Sequence, residues 1–308
     1  MKHTVYVDGQ EGTTGLEIHS RLKARDDIEI LAIDPAKRKD PAERAKLINQ
    51  ADIVFLCLPD AAAREAVSFV TNPAVRVIDA STAHRTADGW TYGIPELSES
   101  HREAIRGSKR VSNPGCFATG FNMLIHPLVS GGMLPAGYPV SCHAVTGYSG
   151  GGRRLIEAYE APDSDPGLRS PCFYALGLAH KHLPEMQKHS GLDSPPIFTP
   201  IIADYYRGMT VAVPLCADAG RIHAFMAEYF CGQRFVKVMD WGIQDTFERG
   251  YLNAEGCNGT NNLEIFVFGD ERQTLLAARL DNLGKGASGA AVQNMNIMLG
   301  LDEACGLE

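Results

Sequence analysis

Over the first 80 residues, short and almost wholly apolar runs alternate with stretches of helical periodicity, and this alternation restricts the fold more than any other feature. His3–Val7, Glu29–Ile33, Ile53–Leu58 and Val75–Ala80 read as strands. Thr14–Arg25, Asp40–Asn49 and Ala61–Val70 read as helices, the second with Asp40 as its cap and Pro41 at an early position. Strands apolar on both faces and separated by helices must be covered on both sides, which predicts a parallel sheet in a doubly wound, Rossmann-type α/β domain.

After about Asn113 the pattern changes. Asn113–Val129 becomes helical toward its far end, and Val140–Thr146 reads as a strand. The loop-rich stretch Glu160–Ser170 reads as an excursion or lid. Ile197–Asp204, Met209–Leu215, Leu263–Gly269 and Thr274–Leu280 read as strands, with a helix near Gly220–Cys231. Strands with few helices between them predict an α+β second domain with a mostly antiparallel sheet. The small-residue helix Ala287–Leu299 is suited to close packing against the first domain. We therefore expect a dinucleotide-binding domain over residues 1–115, with 287–308 packing back on it, and a catalytic domain over 116–286. A chain of 308 residues suits two such domains.

Charge narrows the range of partners. The 29 Lys and Arg against 37 Asp and Glu leave a net charge of −8. Nucleic acid and anionic membranes are unexpected partners, because both demand a basic face. An anionic small molecule must instead be caught by local dipoles and a few placed cations. Met1–Gln10 meets Asp8 and Gly9 before any apolar stretch and does not read as a signal peptide. With no apolar run long enough to span a bilayer, a soluble, cytoplasmic protein is expected. The eight cysteines lack CxxC spacing, so neither a disulfide framework nor a paired zinc knuckle is expected.

Gly9-Gln10-Glu11-Gly12-Thr13-Thr14-Gly15 follows the first strand and opens the first helix. Glycines there permit a tight turn and close backbone approach, and the helix start offers N–H groups to a pyrophosphate. Gly9, Gly12, Thr13, Thr14 and Gly15 are thus cofactor candidates. Asp34, 19 residues after Gly15, stands where an acid binds a ribose diol, but Lys37-Arg38-Lys39 follows at once. Three cations there suit a 2′-phosphate, so NADP is expected over NAD, with Arg38 as a ligand.

Ser112-Asn113-Pro114-Gly115-Cys116 puts a cysteine after a Pro-Gly turn, in the first turn of a helix. The positive dipole end there favours a thiolate nucleophile over a buried structural thiol. His180-Lys181-His182-Leu183-Pro184-Glu185 is the richest source of a general acid/base. Two histidines at i, i+2 would point the same way on a strand, which keeps a metal site as the alternative, but no Asp or Cys completes one. Thr146–Arg154 reads as a flexible loop carrying hydroxyls and two cations. Asp281-Asn282-Leu283-Gly284-Lys285-Gly286-Ala287 leads into the last helix and is placed to touch a cofactor or to cap it.

Taken in order along nearly the whole chain, Asn113–Cys116, the Gly147–Arg154 loop, His180–Glu185 and Asp281–Ala287 resemble the N-acetyl-γ-glutamyl-phosphate reductases, in their shorter form. Aspartate-semialdehyde dehydrogenase is a structural cousin of that family. The resemblance implies an NADP-dependent reductase of arginine biosynthesis that works through a cysteine thioester, as a homo-oligomer (dimer or tetramer) with a small-molecule substrate and no metal. It implies Cys116 as nucleophile and His180 as acid/base. Arg85, Ser149, Arg153, Arg154, Tyr174, His182 and Glu185 would surround the substrate, and Ser81, Asn282 and Lys285 would join the cofactor set. The family's Asp-Leu-Ser-Ala-Asp-Phe-Arg segment appears here as Asp79-Ala80-Ser81-Thr82-Ala83-His84-Arg85. Two other readings stand beside it: the cousin activity on aspartyl phosphate, and a dinucleotide sensor without chemistry. The sensor reading predicts a missing nucleophile or base, whereas both are present.

Overall fold

The computed structural model describes residues 2–10 and 12–307, so Glu11 of the glycine loop lies outside the described residues. The chain divides into two compact units, Met1–Pro114 with Ala287–Glu308, and Gly115–Gly286.

In the first unit the elements run β1 (His3–Asp8), α1 (Thr13–Lys23), β2 (Ile28–Leu31), α2 (Pro41–Gln50), β3 (Ile53–Leu56), α3 (Asp60–Ser68), β4 (Arg76–Asp79), β5 (Thr91–Tyr92), α4 (Glu99–Gly107) and β6 (Arg110–Ser112). The strands form one sheet in the order β2-β1-β3-β4-β6-β5, with every described pairing parallel. The doubly wound expectation holds. Tyr6, Val54 and Val77 lie in register and join Leu47, Ile48, Ala63 and Ala66 of α2 and α3 in one core layer. Val7, Phe55 and Ile78 are aligned on the opposite face and are equally buried. As expected, Asp40 caps α2, its carboxylate accepting from the Ala42 and Glu43 N–H groups. The strand order reverses between β1 and β3, the switch point where doubly wound sheets place a ligand beyond their carboxyl ends.

The second unit holds α5 (Cys116–Ser130), β7 (Ser141–Gly147), α6 (Arg153–Glu160), β8 (Cys172–Phe173), α7 (Leu183–Ser190), β9 (Ile197–Ala203), β10 (Met209–Leu215), α8 (Ala219–Tyr229), β11 (Val236–Val238), β12 (Leu263–Gly269) and β13 (Thr274–Leu280); α9 (Gly289–Leu299) returns to the first unit. The sheet order is β11-β12-β13-β10-β7-β9-β8. Four pairings are antiparallel and two, β7–β9 and β11–β12, are parallel. The sheet is therefore mostly antiparallel but mixed. One face packs on α5, an almost wholly buried helix. The other face is covered over β12, where Phe247 packs on Phe266 and Phe268, and is exposed elsewhere at Phe173 (58%), Ile197 (58%) and Leu275 (41%).

Two readings need correction and one is sharpened. Residues 147–154 are not a flexible loop. A 3₁₀ turn at Tyr148–Gly151 is followed by Gly152 at φ 76° and then α6, because a left-handed glycine lets the chain reverse directly into a helix. Part of the Glu160–Ser170 excursion is ordered as a 3₁₀ turn at Pro166–Arg169, capped by the Asp165 carboxylate. His180 and His182 are not on a strand; they lie in the turn before α7, with His182 as its N-cap residue. No described helix is long and apolar enough to cross a membrane.

At the end of β1, the buried Asp8 carboxylate accepts from Arg44 Nε (3.1 Å) and Nη2 (2.9 Å). Burial raises the Asp8 pKa and Arg44 opposes the rise. Replacing Arg44 by Met leaves the acid buried without its cation, a loss of about 3–5 kcal/mol. Asp8 then has burial acting on it without that opposition. The deficit should be full above its raised folded pKa and shrink as pH falls through it. Urea unfolding of Arg44→Met at pH 8 and pH 5 checks this; a deficit under about 1 kcal/mol, or one independent of pH, contradicts it.

Candidate active site

In the first unit, three glycines shape the loop between β1 and α1. Gly9 sits at φ 90°, and a Cβ there would lie 2.3 Å from the Cys57 carbonyl oxygen. A Cβ on Gly15 would lie 2.5 Å from the Gly9 carbonyl oxygen, whereas Gly12 is exposed and has nothing nearer than 3.7 Å. The first glycine thus makes the turn, the last lets the helix close onto the loop, and the middle one leaves room for a ligand to approach. Thr13 and Thr14 open α1, whose first-turn N–H groups point out of the helix. These residues fit a pyrophosphate. Lys37, Arg38 and Lys39 are exposed past β2, while Asp34 accepts from the Ala36 N–H at 2.9 Å and so caps its own turn.

Asp79, fully buried at the end of β4, organises the segment beside this loop. Its carboxylate accepts from the Ser81 N–H (2.9 Å) and hydroxyl (2.7 Å), and meets His84 Nδ1 at 2.6 Å. His84 stacks on Trp90 at 4.1 Å. The Ser81 hydroxyl is thus engaged within its own turn. Arg85 is also buried, and its Nε and Nη2 donate to the carbonyls of Asn113 (3.0 Å) and Ala80 (3.1 Å). This ties Arg85 to the main chain that leads toward Cys116. Asn113 is further held through its N–H to the Asp79 carbonyl and through its side chain to the Ala287 carbonyl. Asp79 and its hydrogen bonds carry no local sequence signal beyond a strand-end acid.

In the second unit, Cys116 is the first residue of α5 and is half-buried. The preceding Gly115 is extended, and its N–H donates to the buried Glu185 carboxylate at 3.1 Å. Glu185 therefore fixes the entry to the helix. An aromatic shell surrounds His180 in the same unit. The His180 ring packs against His182 (4.7 Å), Phe198 (5.1 Å), Tyr174 (5.8 Å) and Phe117 (5.8 Å). His180 Nδ1 accepts from the His182 N–H at 3.1 Å, which fixes one ring nitrogen as the acceptor and so the tautomer when neutral. Phe117 and Phe198, which sequence reasoning did not single out, confine this ring. Phe198 shows in the sequence only as a strand residue. Burial raises the Tyr174 pKa far above the ordinary phenol value, and the charge of Cys116 adds to the rise.

The remaining candidates divide. Ser149 and Asn282 meet: the Asn282 amide donates to the Ser149 hydroxyl at 3.0 Å and its oxygen accepts from the Gly208 N–H at 2.8 Å. Lys285 is 1% exposed, its ammonium 5.7 Å from the centre of the Phe235 ring. Arg153 and Arg154 open α6 and are exposed, with Arg153 Nε donating to Glu157 at 2.8 Å. Among the described residues, no group of three or more His, Cys, Asp and Glu is arranged to hold a metal ion.

The arrangement offers a half-buried thiol at a helix start, an imidazole of fixed tautomer and a phenol that stays protonated. Because the Tyr174 pKa is raised, its hydroxyl remains neutral until well above pH 10, so it does not supply an alkaline limb to a rate profile below that pH. Tyr174→Phe should therefore lower the rate without moving that limb; a limb that disappears in the variant contradicts this.

Comparison with known proteins covers the whole chain. Residues 4–107 match the semialdehyde dehydrogenase NAD binding domain, and residues 116–282 match the semialdehyde dehydrogenase dimerisation domain. N-acetyl-gamma-glutamyl-phosphate reductase 2 of Nostoc sp. is 49% identical, with 99% of each chain covered. The N-acetyl-gamma-glutamyl-phosphate reductase of Burkholderia cenocepacia is also 49% identical, with 98% of each covered. Among solved structures, aspartate semialdehyde dehydrogenase of Francisella tularensis superposes with a TM-score of 0.73 at 16% identity (97% of this chain, 100% of that one). Aspartate semialdehyde dehydrogenase II of Vibrio cholerae gives 0.71 at 15% (97% and 98%). Both structural likenesses concern the fold. With both domain models matched and relatives 49% identical end to end, the chain belongs to the N-acetyl-gamma-glutamyl-phosphate reductase family, built on the semialdehyde dehydrogenase fold.

Proposed function

We propose that the protein reduces N-acetyl-L-glutamyl 5-phosphate to N-acetyl-L-glutamate 5-semialdehyde with NADPH, a step of arginine biosynthesis. The observation that carries this reading is Cys116 at the start of α5, with the His180 aromatic shell in the same unit, in a chain 49% identical to reductases of that name. In this reading residues 1–115 with 287–308 bind NADP and residues 116–286 carry the catalytic groups.

The Cys116 thiolate attacks the acyl carbon; a C–S bond forms, the C–O bond to phosphate breaks, and phosphate leaves. NADPH, when bound, supplies a hydride to the resulting thioester. Collapse of the thiohemiacetal breaks the C–S bond and returns the sulfur as thiolate, with His180 handling the proton of the departing adduct. The Cys116 N–H at the helix start stabilises the oxyanion. Tyr174, His182 and Glu185 shape the pocket around this chemistry, Glu185 through its bond to Gly115. Ser149, Arg153 and Arg154 are substrate ligands in this scheme. Arg85 stands beside the substrate in this scheme, with two of its donors holding the Asn113 and Ala80 carbonyls. Gly9, Gly12, Thr13, Thr14 and Gly15 hold the cofactor pyrophosphate and Arg38 its 2′-phosphate, with Ser81, Asn282 and Lys285 at its margin.

Matching a dimerisation domain supports a homo-oligomer, and we infer a dimer or tetramer formed through the exposed part of the sheet face, at Phe173, Ile197 and Leu275. Eight free cysteines are in keeping with a cytoplasmic location.

The test is phosphate-dependent NADP reduction with N-acetylglutamate semialdehyde and aspartate semialdehyde side by side. Preference for the first is expected; preference for the second assigns the cousin activity, and neither leaves a sensor. Cys116→Ser should bind NADP but lose turnover, and His180→Asn should lose on the order of 10²–10⁴-fold in rate. Chelators should change nothing; a rate abolished by chelation and restored by zinc would rewrite the site. Replacing Lys37, Arg38 and Lys39 together by Gln should weaken NADP by more than about tenfold and NAD little, since the 2′-phosphate alone needs those charges. Equal weakening of both cofactors would move selectivity elsewhere, first to Asp34.

A further inference from the structure

The turn between β13 and the end of the second unit is built around one buried acid. Asp281 is 0% exposed, and its carboxylate accepts from the N–H groups of Leu283 (2.9 Å) and Gly259 (2.8 Å), with Arg207 Nη1 at 3.5 Å. Its carbonyl accepts from the Gly286 N–H at 2.9 Å. Both ends of the turn are thereby fixed by a single residue.

Gly286 packs directly on the cysteine. A Cβ at this position would lie 2.8 Å from the Cys116 Cβ and 3.3 Å from its Cα, closer than ordinary carbon contacts. The approach of the two chains therefore requires a glycine. Gly284 shares the constraint, since a Cβ there would lie 2.3 Å from the Thr260 carbonyl oxygen. With the Gly286 backbone against it, one side of the Cys116 Cβ is closed. Closing one side of a Cβ removes a part of the rotamer space that a first-turn helical residue otherwise has.

We propose that Gly286 is a positioning residue for Cys116, and that Asp281 acts through it by locking the turn in place. The sulfur is thereby held in the orientation from which it attacks, and less rotational freedom remains to be lost at the reaction step. This rests on Cys116 being the nucleophile, as set out above.

The experiment compares Gly286→Ala with Gly107→Ala, a control at the end of α4 where an added Cβ meets nothing within 4 Å. Iodoacetamide labelling of Cys116 is followed by peptide mass spectrometry across pH, with the exposed Cys216 as internal reference. For Gly286→Ala we expect the Cys116 rate, relative to Cys216, to fall on the order of tenfold or more at every pH, together with kcat, while KM for the aldehyde is little changed. A protein that folds, labels Cys116 at the parent rate and keeps its kcat overturns the proposal. If Gly286→Ala does not fold, Asp281→Asn, which keeps the side-chain size and weakens the lock, is read in the same way. Cys116→Ala separates the two readings: if it keeps turnover the nucleophile assignment falls, whereas if it is inactive and Gly286→Ala is normal, the positioning role alone falls.

Discussion

Everything chemical in the second unit depends on how the main chain enters α5. A helix start can lower a thiol pKa only if its N–H groups face the sulfur and its entry is rigid. Here the entry is an extended glycine whose N–H is taken by the buried Glu185 carboxylate. Two other cysteines sit where burial disfavours the thiolate. Burial pushes Cys57 and Cys257 up to about 12, which leaves them protonated and poor nucleophiles at neutral pH. The half-buried Cys116 at a helix start thus differs from the buried Cys142 and Cys257.

The same economy of charge applies to the first unit. With a net charge of −8, the chain must meet a phosphorylated ligand through local features. Backbone geometry supplies them: a left-handed Gly9, an open Gly12 and a close-packed Gly15 at the switch point of a parallel sheet. The exposed cations at Lys37–Lys39 stand at the end of β2, where local charge is added without changing the sign of the whole.

Much of this was legible in the sequence because it rests on local rules. The β1, β3 and β4 runs are apolar on both faces, and Met209–Leu215, Leu263–Gly269 and Thr274–Leu280 alternate in full-length strands, so period alone places them. What escaped is non-local or very short. The two-residue strands β5 and β8 have no period to read. The parallel β7–β9 pairing joins segments separated by α6, β8 and α7, which no hydrophobic pattern reveals. Helix α6 was masked by the glycines before it, whose turn signal extends into Arg153 and Arg154. Among the candidates, Cys116 and His180 stand out by residue type, whereas Asp281 and Phe198 act through partners distant in sequence and the Asp79 carboxylate holds its own turn through Ser81 and His84. Arg85 looked like an anion ligand by type, yet the structure places two of its donors on carbonyl oxygens.

The proposed chemistry rests on acyl transfer through Cys116. Mixing the protein with N-acetylglutamate semialdehyde and NADP in phosphate-free buffer tests it most directly, because without phosphate the thioester has no acceptor but water. A burst of one NADPH per active chain is expected, with an acetylglutamyl group on the Cys116 peptide that is released when phosphate is added. No burst, or an adduct on another residue, would contradict it.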